Sequence, residues 1–264
     1  MWRVLRTRQA IGLVAFVIVI VPTFLFLSRW QFHRWDERKA YNAEIESGIA
    51  AAPTPIGRVL SPSQSIEAVN PGLEYRVVTA VGRYDLAGQL LVRRKPFDTV
   101  NGFWVVTPLT TDSGSTLLVN RGWVPAGKDA ASTPEVPAPA AGITTVTGRV
   151  RLSEDSQGPT PSDIPTGQVR ALAIPDLFAQ LGTRGYPAYI ELMDSTPAPA
   201  AGVTLLPAPE ITDGPHLSYA IQWIFFAILA IGGLIYLLRL EVIRRRTTEI
   251  PARDDTQMGD HAAS

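Results

Sequence analysis

The sequence predicts a membrane protein of the α+β class, in which two transmembrane helices flank an extracytoplasmic, antiparallel, β-rich and barrel-like domain. Two long apolar runs near the chain ends and a series of short alternating segments between them carry that reading. Composition agrees: 46% of the 264 residues are hydrophobic and only 18% charged, less charge than a soluble domain of this length carries. The net formal charge is zero, which gives no nucleic-acid footprint. The absence of cysteine removes disulfides, thiolate nucleophiles, iron–sulfur ligation and cysteine zinc sites.

The first run, AIGLVAFVIVIVPTFLFL from Ala10 to Leu27, would extend about 27 Å as a helix, just enough to span a bilayer core. Pro22 lies inside it and is tolerated in a membrane helix through a local kink. A cleaved signal peptide is the competing reading, since Arg3, Arg6 and Arg8 precede the run. The run is long for a signal core, however, and no small-x-small site follows promptly. The second run, Tyr219 to Leu238, corresponds to about 30 Å of helix. Tyr219 and Trp223 stand at one end and Tyr236 at the other, as in an aromatic belt, and Arg239 and Arg244 to Arg246 follow. By the positive-inside rule the C-terminus is cytoplasmic. Two spans then place the N-terminus on the same side. The expected layout is a cytoplasmic tail (1–9), a first span (10–27), an extracytoplasmic domain (28–218), a second span (219–238) and a basic, then disordered, cytoplasmic tail (239–264).

Between the spans, SRWQFHRWDERKAYNAEIES continues with helical spacing, so the first helix is expected to run on beyond the bilayer until the Pro-rich stretch from Ala51 ends it. Strand-like runs come next: EYRVVTAVGRYD, GQLLVRRK, GFWVVTPLT and STLLVNRGWVP. Asp112-Ser113-Gly114 is a hairpin turn candidate. Further strands are expected over Thr144 to Leu152, Tyr186 to Met193 and Val203 to Leu206, with one short helix over Ile174 to Leu181. Two Ala/Pro-rich stretches, Pro134 to Gly142 and Pro197 to Pro209, read as stiff extended connections.

Taken in order, Trp30, Gln31, Arg34 and Arg38 after the first span, EYRVVTAVGRY from Glu74, GFWVVTPL from Gly102, VNRGWVP from Val119, VTGRVR from Val146 and HLSYAIQW from His216 resemble the surfeit locus protein one family of cytochrome c oxidase assembly factors. Ser28 stands where that family often has Gly, and residues 153–185 match poorly. The resemblance implies a part in maturing haem-copper cytochrome c oxidase, by assisting delivery of haem a or its insertion into the catalytic subunit. It also implies oxidase subunits, haem a synthase and the lipid bilayer as partners, haem a as a transient ligand, and no enzymatic activity. With only nine residues before the first span, a bacterial plasma membrane is the expected compartment.

His216 is the candidate haem ligand. Haem iron takes neutral imidazole, and the partial positive charge of a helix N-terminus favours that form. Tyr219 and Trp223, three and seven positions on, share its helix face and would flank a porphyrin; the plainer reading makes them interfacial anchors. His33 is expected at a similar depth, which would permit bis-histidine ligation, but reads as exposed. Gln31 and Gln222 are expected to lie together between the helices, most simply as a hydrogen-bonding pair. Arg121 could bind a propionate or an acidic partner surface, or equally pair within the domain or stack on Trp123. Gly122 and Gly82 are expected at a bulge or a close strand contact. Arg93, Arg94 and Lys95 read as a solvated hairpin end. No G-x-S-x-G, H-E-x-x-H, P-loop or dinucleotide motif occurs, which leaves an anchored enzyme without a nucleophile or metal signature. A purely structural scaffold, packing through Ala227, Ala230, Gly232 and Gly233, is the remaining alternative.

Overall fold

A computed structural model describes residues 8–63, 69–127, 133–156, 158, 164–181 and 183–248. The expected disordered C-terminal tail and most of the N-terminal tail lie outside the described residues. Helix α1 (Arg8–Ala50) runs 43 residues without interruption through Pro22 and stops where the Pro-rich stretch begins. After the two-residue β1 (Thr54–Pro55) come β2 (Val77–Tyr84), β3 (Leu90–Val92), β4 (Gly102–Thr111) and β5 (Thr116–Pro125). The chain continues through β6 (Thr144–Arg151), β7 (Gln168–Val169), α2 (Ile174–Leu181), β8 (Gly185–Thr196) and finally α3 (His216–Thr248). It divides into two compact units, a helical one of residues 1–40 and 212–264 and a β-rich one of residues 41–211.

In the helical unit, α1 and α3 are long and apolar enough to cross a membrane, which fits a membrane protein. They pack against each other along a seam that repeats every 3.5 residues. The seam positions, all less than fully exposed, are Ala10, Val14, Val17, Val21, Phe24, Ser28, Gln31 and Trp35 on α1, and His216, Ala220, Trp223, Ala227, Ala230 and Leu234 on α3, with Ile20, Leu27 and Phe226 flanking them. Alternating steps of three and four are the signature of coiled-coil-like packing. The contacts run antiparallel: Phe24 stacks on Trp223 with ring centroids 5.5 Å apart, and the Ser28 hydroxyl donates to the Ala220 carbonyl at 2.9 Å. Small residues at Ser28, Ala220 and Ala227 let the backbones approach. Gly232 and Gly233 point elsewhere, with open space where a Cβ would sit. Ala227 and Ala230 thus lie on the α1–α3 seam and Gly232 and Gly233 off it.

The β-rich unit is one eight-stranded sheet in the order β1-β2-β6-β8-β5-β4-β3-β7, with a further pairing of β2 to β4. The expectation of an antiparallel sheet is corrected. The sheet is mixed, with β1–β2, β3–β7 and β5–β8 parallel. The reason is topological: β8 returns beside β5 only after β6, β7 and α2 have intervened, so the two strands need not reverse direction as hairpin partners do. The pairings β2–β6–β8–β5–β4 lead back to β2. Gly82 makes that return possible. It pairs with Thr144 on β6 and Thr111 on β4, and a Cβ there would lie 2.3 Å from the Thr110 carbonyl oxygen.

Strand alternation distributes the core. Leu117 and Val119 join Val78, Ala80, Leu109, Val146, Val150 and Ile190 in one cluster, while Leu118 between them faces Val92, Val106 and Tyr189, under Ile174, Leu177 and Phe178 of α2. The hairpin at residues 112–114 forms as its turn chemistry predicts, with Thr111 N–H donating to Ser115 and Gly114 N–H to Thr111. The helix over Ile174–Leu181 agrees with expectation. Residues 203–206 do not form a strand; Thr204 alone bridges to Trp123.

Candidate functional site

His216 opens α3, half-buried on the seam. Gly214, at φ +65°, takes a left-handed turn that a side chain would resist, and a Cβ there would stand 3.7 Å from His216 Nε2. Pro215 then leads into the helix, its carbonyl accepting from Tyr219 N–H at 3.1 Å. Across the seam, His216 Nδ1 and Gln31 Oε1 are 2.9 Å apart. A carbonyl oxygen only accepts, so in this contact the imidazole donates through an Nδ1–H. A hydrogen bond through Nδ1 orients the imidazole, as an outer-shell partner orients a metal ligand through the nitrogen that does not bind.

The remaining sequence candidates separate around this pair. Trp223 is on the seam, but its ring is engaged by Phe24 and, edge-on at 5.8 Å, by Phe226. Tyr219 is 46% exposed and off the seam. Gln222 is exposed and does not meet Gln31, whose amide is taken by His216. Trp30 is exposed, and Arg34 pairs with Glu37 at 2.7 Å. His33 is exposed and lies 3.3 Å from Glu37; two residues beyond Gln31 on a helix, it points to the other side. Among the described residues, no group of three or more His, Asp or Glu side chains is placed to hold a metal ion.

Arg121 lies in the β-rich unit, 3% exposed, at a bulge where the β4–β5 register shifts between Asn120 and Gly122. Gly122 adopts φ +130° and donates its N–H to Asn120 Oδ1 at 3.1 Å. The Arg121 guanidinium donates to the Pro137 carbonyl at 2.7 Å and to Gln89 at 3.2 Å, and lies over the Tyr84 ring at 5.9 Å. Burial lowers the Arg121 pKa, opposed by Tyr84; burial in turn raises the Tyr84 pKa to about 12 against the influence of Arg121. Trp123 does not stack on Arg121. Its indole donates to the Lys95 carbonyl at 2.7 Å, and its ring tilts against Phe97 at 5.4 Å.

A second buried arginine was not among the sequence candidates. Arg149 on β6 pairs with Glu191 on β8 at 2.7 Å, and its guanidinium also donates to the Leu206 carbonyl at 2.9 Å and to that of Pro207. Arg151 lies 3.3 Å from Glu74 and 3.8 Å from Glu191, over the Tyr75 ring at 4.5 Å. Burial works against the Arg151 charge, but Glu191, with Tyr189, Tyr75 and Glu74, outweighs it and holds the pKa above the ordinary arginine value. The motif VTGRVR was the only signal for this pair, because strand register across 42 residues is not written in local sequence.

A pair of long apolar helices, an oriented histidine at the head of one of them and a mixed β-sheet unit between them in sequence define a class of two-helix protein that fits a membrane setting. Residues 18–228 match the model of the SURF1 family. An uncharacterised SURF1-like protein of Mycobacterium bovis is 32% identical over 241 residues, covering 89% of this chain and 86% of its own length. A SURF1-like protein of Mycobacterium tuberculosis shows the same identity and coverage. Human surfeit locus protein 1 is 32% identical over 166 residues, covering 56% of this chain and 53% of its own. The chain belongs to the SURF1 family.

Proposed function

We propose that this chain is a membrane-anchored, non-enzymatic assembly factor for haem-copper cytochrome c oxidase, and that His216 holds haem a transiently during its delivery or insertion into the catalytic subunit. The observation that carries the reading is the His216–Gln31 contact, which orients the imidazole through Nδ1 and keeps Nε2 out of that hydrogen bond. Haem a is the cargo, and the donor set suits it: one imidazole at a helix head, in a chain without cysteine. Membership of the SURF1 family and the resemblance of its motifs to oxidase assembly factors support the assignment of the process. In this reading Arg239 and the Arg244 to Arg246 run keep the C-terminus cytoplasmic. Both termini then face the cytoplasm of a bacterial cell, and the β-rich unit faces outward to oxidase subunits and haem a synthase.

The test is spectroscopic. Co-expression with a haem a pathway should yield a purified protein with a haem a absorption band, reduced several-fold in His216→Ala. A colourless wild-type protein would count against haem carriage. One observation favours a second reading, a scaffold that stabilises an oxidase intermediate without binding haem: the Trp223 ring is already packed between Phe24 and Phe226. Gene deletion separates the two. A carrier predicts abundant but haem-poor catalytic subunit, and a scaffold predicts loss of the subunit itself; normal oxidase activity would reject both.

A further inference from the structure

The β-rich unit carries a second concave site, unrelated to the helix pair. Strands β3 and β7 run parallel, with Leu91 beside Gln168 and Val92 beside Val169, so both chains leave the sheet at the same end. Arg93 N–H still donates to the Val169 carbonyl at 2.9 Å. The exit from each strand is cationic: Arg93, Arg94 and Lys95 after β3, Arg170 after β7. The segment after β6 crosses the same place, tied down by Glu154 N–H to the Leu172 carbonyl at 3.0 Å and by Leu172 N–H to Glu154 Oε2 at 2.8 Å. The result is a cleft of about 560 Å³ that these four cations line together with Glu154 and Asp155, leaving an excess of two positive charges.

Two of the cations are committed. Lys95 Nζ is 2.6 Å from Glu154 Oε1 and 3.9 Å above the Trp104 ring, and Arg93 donates to the neutral Gln168 amide at 2.5 Å. Arg94 and Arg170 are exposed and make no ion pair or side-chain hydrogen bond among the described residues. The backbone at Arg94 is held at φ +58°, a left-handed conformation that a residue with a Cβ rarely adopts and that recurs at ligand-binding positions. The volume is that of a small-molecule site, but the lining is charged rather than apolar, so the ligand it suits is charged as well. Guanidinium groups are fitted to planar or tetrahedral oxyanions, which they grip through two parallel N–H donors.

We propose that this cleft binds a small ligand bearing paired oxyanions, carboxylate or phosphate, held between Arg94 and Arg170. The site is independent of His216 and of haem. Isothermal titration of the full-length, detergent-solubilised protein with sodium pyrophosphate and with sodium citrate, at constant ionic strength, tests it. Saturable one-site binding of at least one anion is expected. The preferred anion distinguishes a phosphate ligand from a carboxylate ligand. Arg94→Gln with Arg170→Gln should weaken that binding ten-fold or more, whereas Arg58→Gln with Arg83→Gln, which removes the same charge from exposed positions elsewhere, should leave it unchanged. All four side chains are exposed, so the fold is expected to persist. No saturable binding of either anion, undiminished binding in the Arg94/Arg170 variant, or equal weakening in both double variants would overturn the proposal.

Discussion

Two buried arginines share one task. Proline has no N–H to contribute to a ladder, yet the carbonyls of a Pro-rich segment still need donors when they are buried. Arg121 supplies one to Pro137, and Arg149 supplies Leu206 and Pro207, so each Ala/Pro-rich connection is fastened by a guanidinium. Arg149→Ala would leave the buried Glu191 carboxylate with only the longer Arg151 contact at 3.8 Å, and denaturant unfolding should show a loss of about 3 kcal/mol; Arg149→Met with Glu191→Leu should recover most of it. Tyr84 gives a pH-dependent counterpart. Its folded pKa of about 12 exceeds the ordinary tyrosine value of about 10, so the folded state keeps a proton that the unfolded chain releases. Its contribution to stability is complete below pH ~10 and disappears as pH rises through about 12. The Tyr84 hydroxyl is buried with no hydrogen-bond partner among the described residues. Tyr84→Phe should therefore cost nothing at neutral pH and shift alkaline unfolding, followed by circular dichroism, to higher pH. At this scale the sequence was informative where a residue stood in a motif, as Arg121 did. It was silent where the partner came from another strand, as Glu191 does for Arg149.

Among the elements, the helix pair was the most legible, because length and hydropathy are local properties. Its inner face was not legible, because runs apolar all round carry no stripe, and the 3.5-residue seam emerges only from the contacts between the helices. Ala227→Leu should overpack the seam and lower the melting temperature of the detergent-solubilised protein, by an amount corresponding to about 1–3 kcal/mol. Gly232→Leu, into open space, should not. The pairing His216–Gln31 was out of reach for a related reason. Depth along two antiparallel helices was readable only to about two turns: the seam sets His216, not Gln222, against Gln31 and Trp223 against Phe24. In the sheet, strands of eight or more residues announced themselves by alternation. The two-residue β1 and β7 lack enough sequence to do so, and their parallel pairing depends on contacts with β2 and β3 that no local pattern encodes. The cationic cleft is a product of such a pairing: Arg94 and Arg170 are remote in sequence, and read singly each is an ordinary exposed arginine.

For the molecule as a whole, family membership over residues 18–228 covers both the helix pair and the sheet. The return of the pairings to β2 bears on how the chain is made. β8 is the last strand, and it alone bonds both β6 and β5. Until Thr196 has been translated and has reached the same compartment, those two strands have an unfilled place between them, with their donors and acceptors exposed. Long-range closure of this kind is slow and leaves sheet edges open to other chains. A ribosome-bound chain lacking β8 therefore carries α1 but no finished domain, and the α3 segment emerges only after all the described strands of the sheet. The order of the elements in the sequence thus puts the last described strand of the sheet ahead of α3, so His216 at the head of that helix follows a full set of strands out of the ribosome.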